Sequence, residues 1–388
     1  MAGSEAASVL PSWNDSAAKS AILDFVARVT KEGGPDFVPS AERIATFDND
    51  GMLWCEQPFQ VQVFFLSDRI KELTTKDASI KERQPFKAFL EHDLKTLQSL
   101  GKQSILELFA VTHAGVSEED FDAIAQDWFA RAKHPKFGRL FKNLTYRPQV
   151  EPLGFLRENA FKTFIVSGGG IDLIRAFAEE AYDIPREQVI GSSAKLRFEA
   201  ADSAARLMKL PELNSFDDRE VKPANIGLHI GRPPILAFGN SDGDLAMLRY
   251  CKTGSGARLA LLVHHDDAER EIAYDREFRL SPPVEALDQA DQYGITLVSK
   301  RSSSSTTAPA SRSASTASSA SGRSSRSATR MATTRCCNTR RRVPARVSWA
   351  SCTTPTPSAN GPTIASPTSA SSIKHWTRER RRAGLSST

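Results

Sequence analysis

Cysteine is scarce in this chain: there are five in 388 residues, and only Cys55 and Cys251 precede residue 300. Two cysteines do not make a disulfide framework, so a reducing compartment is expected. No run of about 18 apolar residues occurs, which speaks against a membrane-spanning helix. The amino terminus, MAGSEAASVLPSW, has neither a basic start nor a long apolar stretch, and the protein is expected to be soluble and cytoplasmic. Acidic residues are nearly missing from the other end. Residues 301–388 carry 15 Lys or Arg against the single acid Glu379, a net +14, whereas the preceding 300 residues carry 36 basic and 45 acidic groups, a net −9. The mildly basic total of +5 therefore belongs to the tail, and the body is acidic.

Ser, Thr, Ala and Arg make up 63 of the last 88 residues, a composition that buries too little apolar surface to offset its ordering entropy. Residues 299–388 are accordingly expected to be disordered. Two origins fit them. One is an arginine-rich arm that binds nucleic acid or anionic surfaces without sequence preference. The other is out-of-frame translation of a GC-rich gene, which the abrupt change after GITLVSK favours.

Four short apolar runs stand out in the body: RIATF (43–47), TFIV (163–166), ILAF (235–238) and LALLV (259–263). Each has strand length, and the first three run into small or polar residues, as buried parallel strands do. Helical patterns lie between them, among them SAAKSAILDFVARVTKEGG with Gly33 as a stop, GIDLIRAFAEEA, and GDLAMLRYC. Strands alternating with helices predict an α/β fold with a doubly wound parallel sheet, built from residues 16–53 and 159–298. Residues 54–158 break the rhythm. They read as helices, including SIKERQPFKAFLEHDLKTLQSLG and SEEDFDAIAQDWFARA, the second capped by Ser117 with Asp120 three residues on. This predicts an all-helical cap inserted after the first strand, with Phe64, Phe65, Phe89, Phe121 and Trp128 as its core. A smaller insertion at 191–227 has room for a hairpin.

The chemistry sits at the strand ends. The first strand closes in FDNDG, which sets Asp48 and Asp50 side by side if the two-residue alternation persists. Such a pair needs a bound cation or a shared proton. After TFIV come Ser167 and Gly168 to Gly170, opening a helix: a hydroxyl and free amides suited to phosphate. After ILAF comes GNSDGD, with the hard oxygen donors Asn240, Asp242 and Asp244 that suit magnesium. Lys222, 18 residues before Asn240, supplies a fixed positive charge. Together these describe phosphoryl transfer. One carboxylate attacks phosphorus, a divalent ion neutralises charge, a hydroxyl, amides and a lysine hold the phosphoryl oxygens, and the second carboxylate moves the proton.

FDNDG, IVSGGG, a lysine and GNSDGD, in that order, resemble the four motifs of the haloacid dehalogenase superfamily, most closely its phosphoserine-phosphatase-like branch with a helical cap. The resemblance spans roughly residues 40–298. It implies that Asp48 is the nucleophile and a magnesium ligand, and that Asp50 is the acid/base with its backbone carbonyl on the metal. It further implies that Ser167, Gly168 and Lys222 bind the phosphoryl group, and that Asn240 and Asp244 complete the Mg2+ site. Glu56 lies where related phosphatases contact a substrate amine. The substrate implied is a small phosphorylated metabolite, with no membrane partner, and nucleic acid only through the tail.

The chain departs from that pattern in places. Met52 stands where the first motif carries Thr or Val, and Asn240 where the last carries Asp, so a neutral amide oxygen would hold the metal, with Asp242 as an alternative ligand. Lys195 and Lys209 are alternatives to Lys222. His264 and His265 are adjacent and in a strand face opposite ways, which argues against zinc. Cys55 reads as packing. The rival readings are 2-haloacid dehalogenation, against which Asp50 speaks, and a degenerate, non-catalytic binding protein tethered by the basic tail.

Overall fold

The computed structural model describes residues 9–302 apart from 101, 202–203, 269–271 and 279–280 and a few further side chains in helices and strands; the expectations for the tail beyond residue 302 lie outside the described residues. Seven strands form one sheet: β1 (Ile44–Phe47), β2 (Lys162–Gly170), β3 (Val189–Ala201), β4 (Ala204–Ser215), β5 (Leu236–Gly239), β6 (Leu259–His264) and β7 (Thr296–Ser299). Their order is β4-β3-β2-β1-β5-β6-β7, parallel throughout except for the antiparallel β3–β4 pair. From β1 the chain builds outward through β2 and β3, then crosses to β5 on the other side. The carboxyl ends of β1, β2 and β5 thus meet at a topological switch point, where open α/β sheets bind ligands.

The apolar runs are short because both faces of the sheet are covered. All four residues of β1 are buried, and Phe47 stacks on Phe238 of β5 with centroids 4.9 Å apart. Adjacent residues serve opposite faces. Ile165, Phe238 and Leu261 join one core with α1 (Ala17–Thr30), while Val166, Ala237 and Leu262 join a second with Ile226, Met247, Leu248 and Ala286. Each fully buried Ile or Leu contributes about 1.5–3 kcal/mol by its removal from water.

Between β1 and β2 the chain is helical: α2 (Val61–Lys76), α3 (Phe86–Leu90), α4 (Leu94–Leu100), α5 (Lys102–His113), α6 (Glu118–Arg131) and α7 (Arg147–Glu158). Ser117 caps α6, its Oγ accepting from the Asp120 amide at 3.0 Å. The single helix expected over 79–101 is instead a 3-10 turn, α3 and α4. Pro85 forbids helical backbone at Gln84, and His92 adopts φ 58° just after α3. Phe65, Phe121 and Trp128 pack edge to face, whereas Phe89 packs against a separate cluster around Ile70, Ile80 and Phe86.

Past β2 lie α8 (Ile171–Arg175) and α9 (Ala178–Tyr182), then, after the hairpin, α10 (Val221–His229), α11 (Leu245–Lys252) and α12 (Val284–Gln289). The stretch expected to be a small insertion is continuous with the sheet. β3 starts parallel to β2 at Val189–Ser192 and then pairs antiparallel with β4. The sheet also reaches slightly further than expected, since Ser299 pairs with His264. Among the described residues no helix is long and apolar enough to cross a membrane.

Candidate active site

Asp48 is the first residue past β1, and its amide donates to the Phe238 carbonyl at 3.1 Å, which carries the β1–β5 pairing one step further. Its Oδ1 accepts from Lys222 Nζ at 2.7 Å. The same ammonium donates to Asp244 Oδ1 at 2.6 Å and to the Val166 carbonyl at 2.9 Å. Lys222 is 2 % exposed, so the end of β1, the body of β2 and the turn after β5 converge on one buried cation. Burial works to lower its pKa, but Asp244 and Asp48 outweigh burial and the net direction is upward. The alternatives are committed elsewhere: Lys195 pairs with exposed Glu212, and Lys209 with Asp172 at 2.7 Å.

Burial pushes the Asp48 carboxyl up to about 8, with Asp244 and Asp50 adding to the push and Lys222 opposing it. Burial also raises Asp50, to about 7, against Lys222 and Asn49. Asp50 is not on a strand, because β1 ends at Phe47 and Gly51 turns the chain at φ 79°. Its Oδ2 lies beside Gly169, 3.2 Å from where a Cβ would stand, and Ser167 Oγ lies 3.4 Å from the same point. The hydroxyl and the second acid thus flank one glycine, leaving space that a side chain would fill.

The glycine segment differs from expectation. Residues 167–170 continue β2, and the helix begins only at Ile171. The Gly169 amide donates to Ser167 Oγ at 3.1 Å and the Gly170 amide to Gln62 Oε1 of α2 at 2.7 Å. The Gly168 carbonyl accepts from Ser192 Oγ at 2.7 Å. Two of the three amides assigned to a phosphate are thus engaged within the chain, and Gln62 reaches this loop from the helical segment.

In the GNSDGD turn, Asp244 Oδ2 accepts from the Asn240 and Ser241 amides at 2.9 and 3.0 Å and from Ser241 Oγ at 3.2 Å. With Oδ1 on Lys222, this carboxylate organises the loop and has no oxygen left without a partner. Asp242 turns away: its Oδ1 accepts from the Ala286 amide of α12 at 2.8 Å. Asn240 Nδ2 donates to Glu56 Oε1 at 3.1 Å, which leaves Asn240 Oδ1 buried without a hydrogen-bond partner. Asp50 Oδ1 is buried and unpartnered as well.

The orphaned Asn240 oxygen tests whether the residues fit a divalent cation, and the Asp50 side chain stays free for its proton role. A hard oxygen donor left unsatisfied, next to a carboxylate held above its ordinary range, is what Mg2+ satisfies. Among the described residues no group of three or more His, Cys, Asp or Glu is arranged to hold a metal by itself. The fit therefore depends on the Asn240 amide, with Asp48 and the backbone carbonyl of Asp50. Asp244 contributes through Lys222 and the turn.

Glu56 differs from its expected role. It is wholly buried, and it accepts from Asn240 Nδ2, Tyr274 Oη and, at 2.9 Å, Ser281 Oγ. Burial pushes its pKa well up against the hydrogen bonds from Tyr274 and Ser281. With both oxygens occupied inside the chain, it is not presented to a substrate amine. Tyr274 and Ser281 are not identifiable from the sequence. His265 is visible there only as half of a discounted zinc pair, yet its Nε2 lies 2.8 Å from the Gly51 carbonyl and its ring stacks on Tyr274. His264 instead meets Asp275 at 3.4 Å. Met52 and Cys55 are buried core residues.

A family model, haloacid dehalogenase-like hydrolase, matches residues 45–249. The chain belongs to that family. The match starts within β1 and ends within α11, and so takes in all four loops described above. Solved structures of similar fold include a functionally unknown protein from Anaerococcus prevotii DSM 20548, 18 % identical, covering 74 % of this chain and 92 % of that one, TM-score 0.46. Another is a phosphoserine phosphohydrolase-like protein from Francisella tularensis subsp. tularensis SCHU S4, 17 % identical, covering 59 % and 90 %, TM-score 0.33. A third is a probable phosphoserine phosphatase from Vibrio cholerae, 14 % identical, covering 62 % and 61 %, TM-score 0.33. No curated protein matches the chain.

Proposed function

We propose that this hydrolase is a magnesium-dependent phosphatase of small phosphomonoesters that works through an aspartyl phosphate in the cytoplasm. The observation that carries the reading is the convergence of Asp48, Asp244 and the body of β2 on the buried ammonium of Lys222, beside Ser167 and Asp50. When bound, Mg2+ offsets the negative charge of the carboxylates and of the phosphoryl oxygens. Asp48, the backbone carbonyl of Asp50 and Asn240 would hold it.

Lys222 fixes Asp48 Oδ1, which directs Oδ2 at phosphorus. The bond to the ester oxygen breaks as the Asp48–phosphorus bond forms. Asp50 gives a proton to the departing alkoxide. The resulting carboxylate then takes a proton from water, whose hydroxide attacks phosphorus and releases phosphate and Asp48. Ser167 Oγ donates to an equatorial oxygen, and Lys222, its three protons committed to Asp48, Asp244 and Val166, offsets the phosphoryl charge without a direct hydrogen bond. Helices between Val61 and Glu158 close over the site and exclude water, with Gln62 as their contact to the glycine loop.

The test is an aryl phosphate assay of purified protein with Mg2+ and with chelator. Asp48→Asn is expected to lose at least about 1,000-fold in kcat. Full activity in that variant would remove Asp48 as nucleophile. Activity on 2-haloacids that persists in chelator would favour dehalogenation.

A further inference from the structure

We propose that Glu56 is the positioning residue that makes Asn240 a metal ligand, by holding the amide nitrogen so that the amide oxygen is the end left for the cation. This rests on the phosphatase reading for the presence of the cation. The amide of an asparagine has two unlike ends, and a half-turn exchanges them. Here Nδ2 is bound to Glu56 Oε1 at 3.1 Å, so Oδ1 is the end left over, and it is buried with no partner in the chain. Glu56 is itself fixed. Tyr274 donates to Oε1, and Ser281 donates to Oε2 at 2.9 Å. Ser281 Oγ accepts from Gln60 Nε2 at 2.8 Å, which directs its own proton toward Glu56.

Each of these three hydrogen-bond partners, Asn240, Tyr274 and Ser281, therefore donates to Glu56. A carboxylate accepting from an amide N–H polarises that amide and draws negative charge onto its oxygen. The Glu56–Asn240 contact occupies the space beside Gly51, where a Cβ would overlap both side chains. His265 holds the Gly51 carbonyl at 2.8 Å and stacks on Tyr274, so the turn, the Glu56 carboxylate and the Asn240 amide are braced as one unit.

The experiment measures Mg2+ and Mn2+ binding to the metal-stripped full chain by calorimetry and by the Mn2+ electron-spin signal, with circular dichroism as the check on folding. Glu56→Gln is expected to weaken binding about 10- to 100-fold, the range seen when a group orienting a metal ligand is removed. Asn240→Asp alone removes the Nδ2 donor that Glu56 Oε1 accepts from in a buried space, and is expected to melt below the parent. Combining the two recreates a donor–acceptor pair between positions 56 and 240, and is expected to restore both the melt and the affinity.

A folded Glu56→Gln protein whose affinity stays within twofold of the parent overturns the proposal, as does an Asn240→Asp protein that melts and binds as well as the parent on its own. Should Glu56→Gln not fold, Tyr274→Phe and the double variant carry the test. Tyr274→Phe is expected to lose affinity several-fold, and unchanged affinity in it counts against the role. A parent that binds the cation but hydrolyses no phosphomonoester overturns the phosphatase reading and leaves the positioning role standing.

Discussion

Replacing Asp50 by Asn should make the metal-free protein more stable, although it removes a group assigned to the chemistry. Burial raises the Asp50 carboxyl from an ordinary 3.8 to about 7. Between those values the folded chain holds a proton that the unfolded chain has released, so the contribution of Asp50 to stability falls as pH rises from about 4 to about 7. The interval is worth about 4 kcal/mol for a carboxylate fully withdrawn from water, at 1.36 kcal/mol per pKa unit. Asp50 keeps part of its surface accessible, which screens the charge, and a difference of about 2 to 4 kcal/mol is expected at pH 8. Asparagine has no such slope. Burial pushes His113 down to about 4 and gives a slope of the opposite sign, but it is present in both proteins and cancels in their difference. Denaturant unfolding of parent and variant in chelator, at half-unit steps from pH 4 to 8, measures that difference. It should be near zero at pH 4 and grow in favour of the variant. A variant less stable than the parent at pH 8, or a pH-independent difference, refutes the reasoning.

Three further outcomes follow from the same site. Lys222→Met leaves Asp48 and Asp244 without their shared cation and should lose about 3–5 kcal/mol at pH 8. The raised pKa of Lys222 keeps that stability fully present in the parent up to pH 8, so a thermal melt at that pH reads the loss directly. Gly51→Ala meets both a positive φ, at about 1–2 kcal/mol, and the Glu56–Asn240 hydrogen bond, at about 1.5–3 kcal/mol. Its denaturant midpoint should show that combined loss, and a change below about 1 kcal/mol would contradict the packing described. Adding Mg2+ to the stripped parent at 100 times its dissociation constant should raise stability by about 2.7 kcal/mol, read as a shift in melting temperature, and the shift should vanish in Asp48→Asn.

What could be read in the sequence was local. Asp48, Asp50, Ser167 and Asn240 each follow a run buried on both faces of a parallel sheet, and such runs stand out as uninterrupted apolar stretches. Lys222 was legible only by its distance along the chain. The partners of Glu56 were not, because Tyr274 and Ser281 lie 218 and 225 residues away and their relation to it is set by how the segment after β6 folds back. The same limit applied to Asp242 and Asp244, two acids in one turn. Ser241 and Lys222 turn one inward, and the Ala286 amide turns the other out. The glycines of β2 hid its length, since glycine is depleted in strands and pointed to a helix start. The long helix over 79–101 was misread because its apolar period ran across Pro85.

The ammonium of Lys222 is met by side chains from positions 48 and 244, one just past the first strand and the other in the turn after the fifth. Contacts of such separation form late, after the loops between them have closed. A chain emerging from the ribosome thus exposes an inert FDNDG turn for most of its synthesis. Its aspartate meets that ammonium and Asp244 only once the fifth strand has locked beside the first.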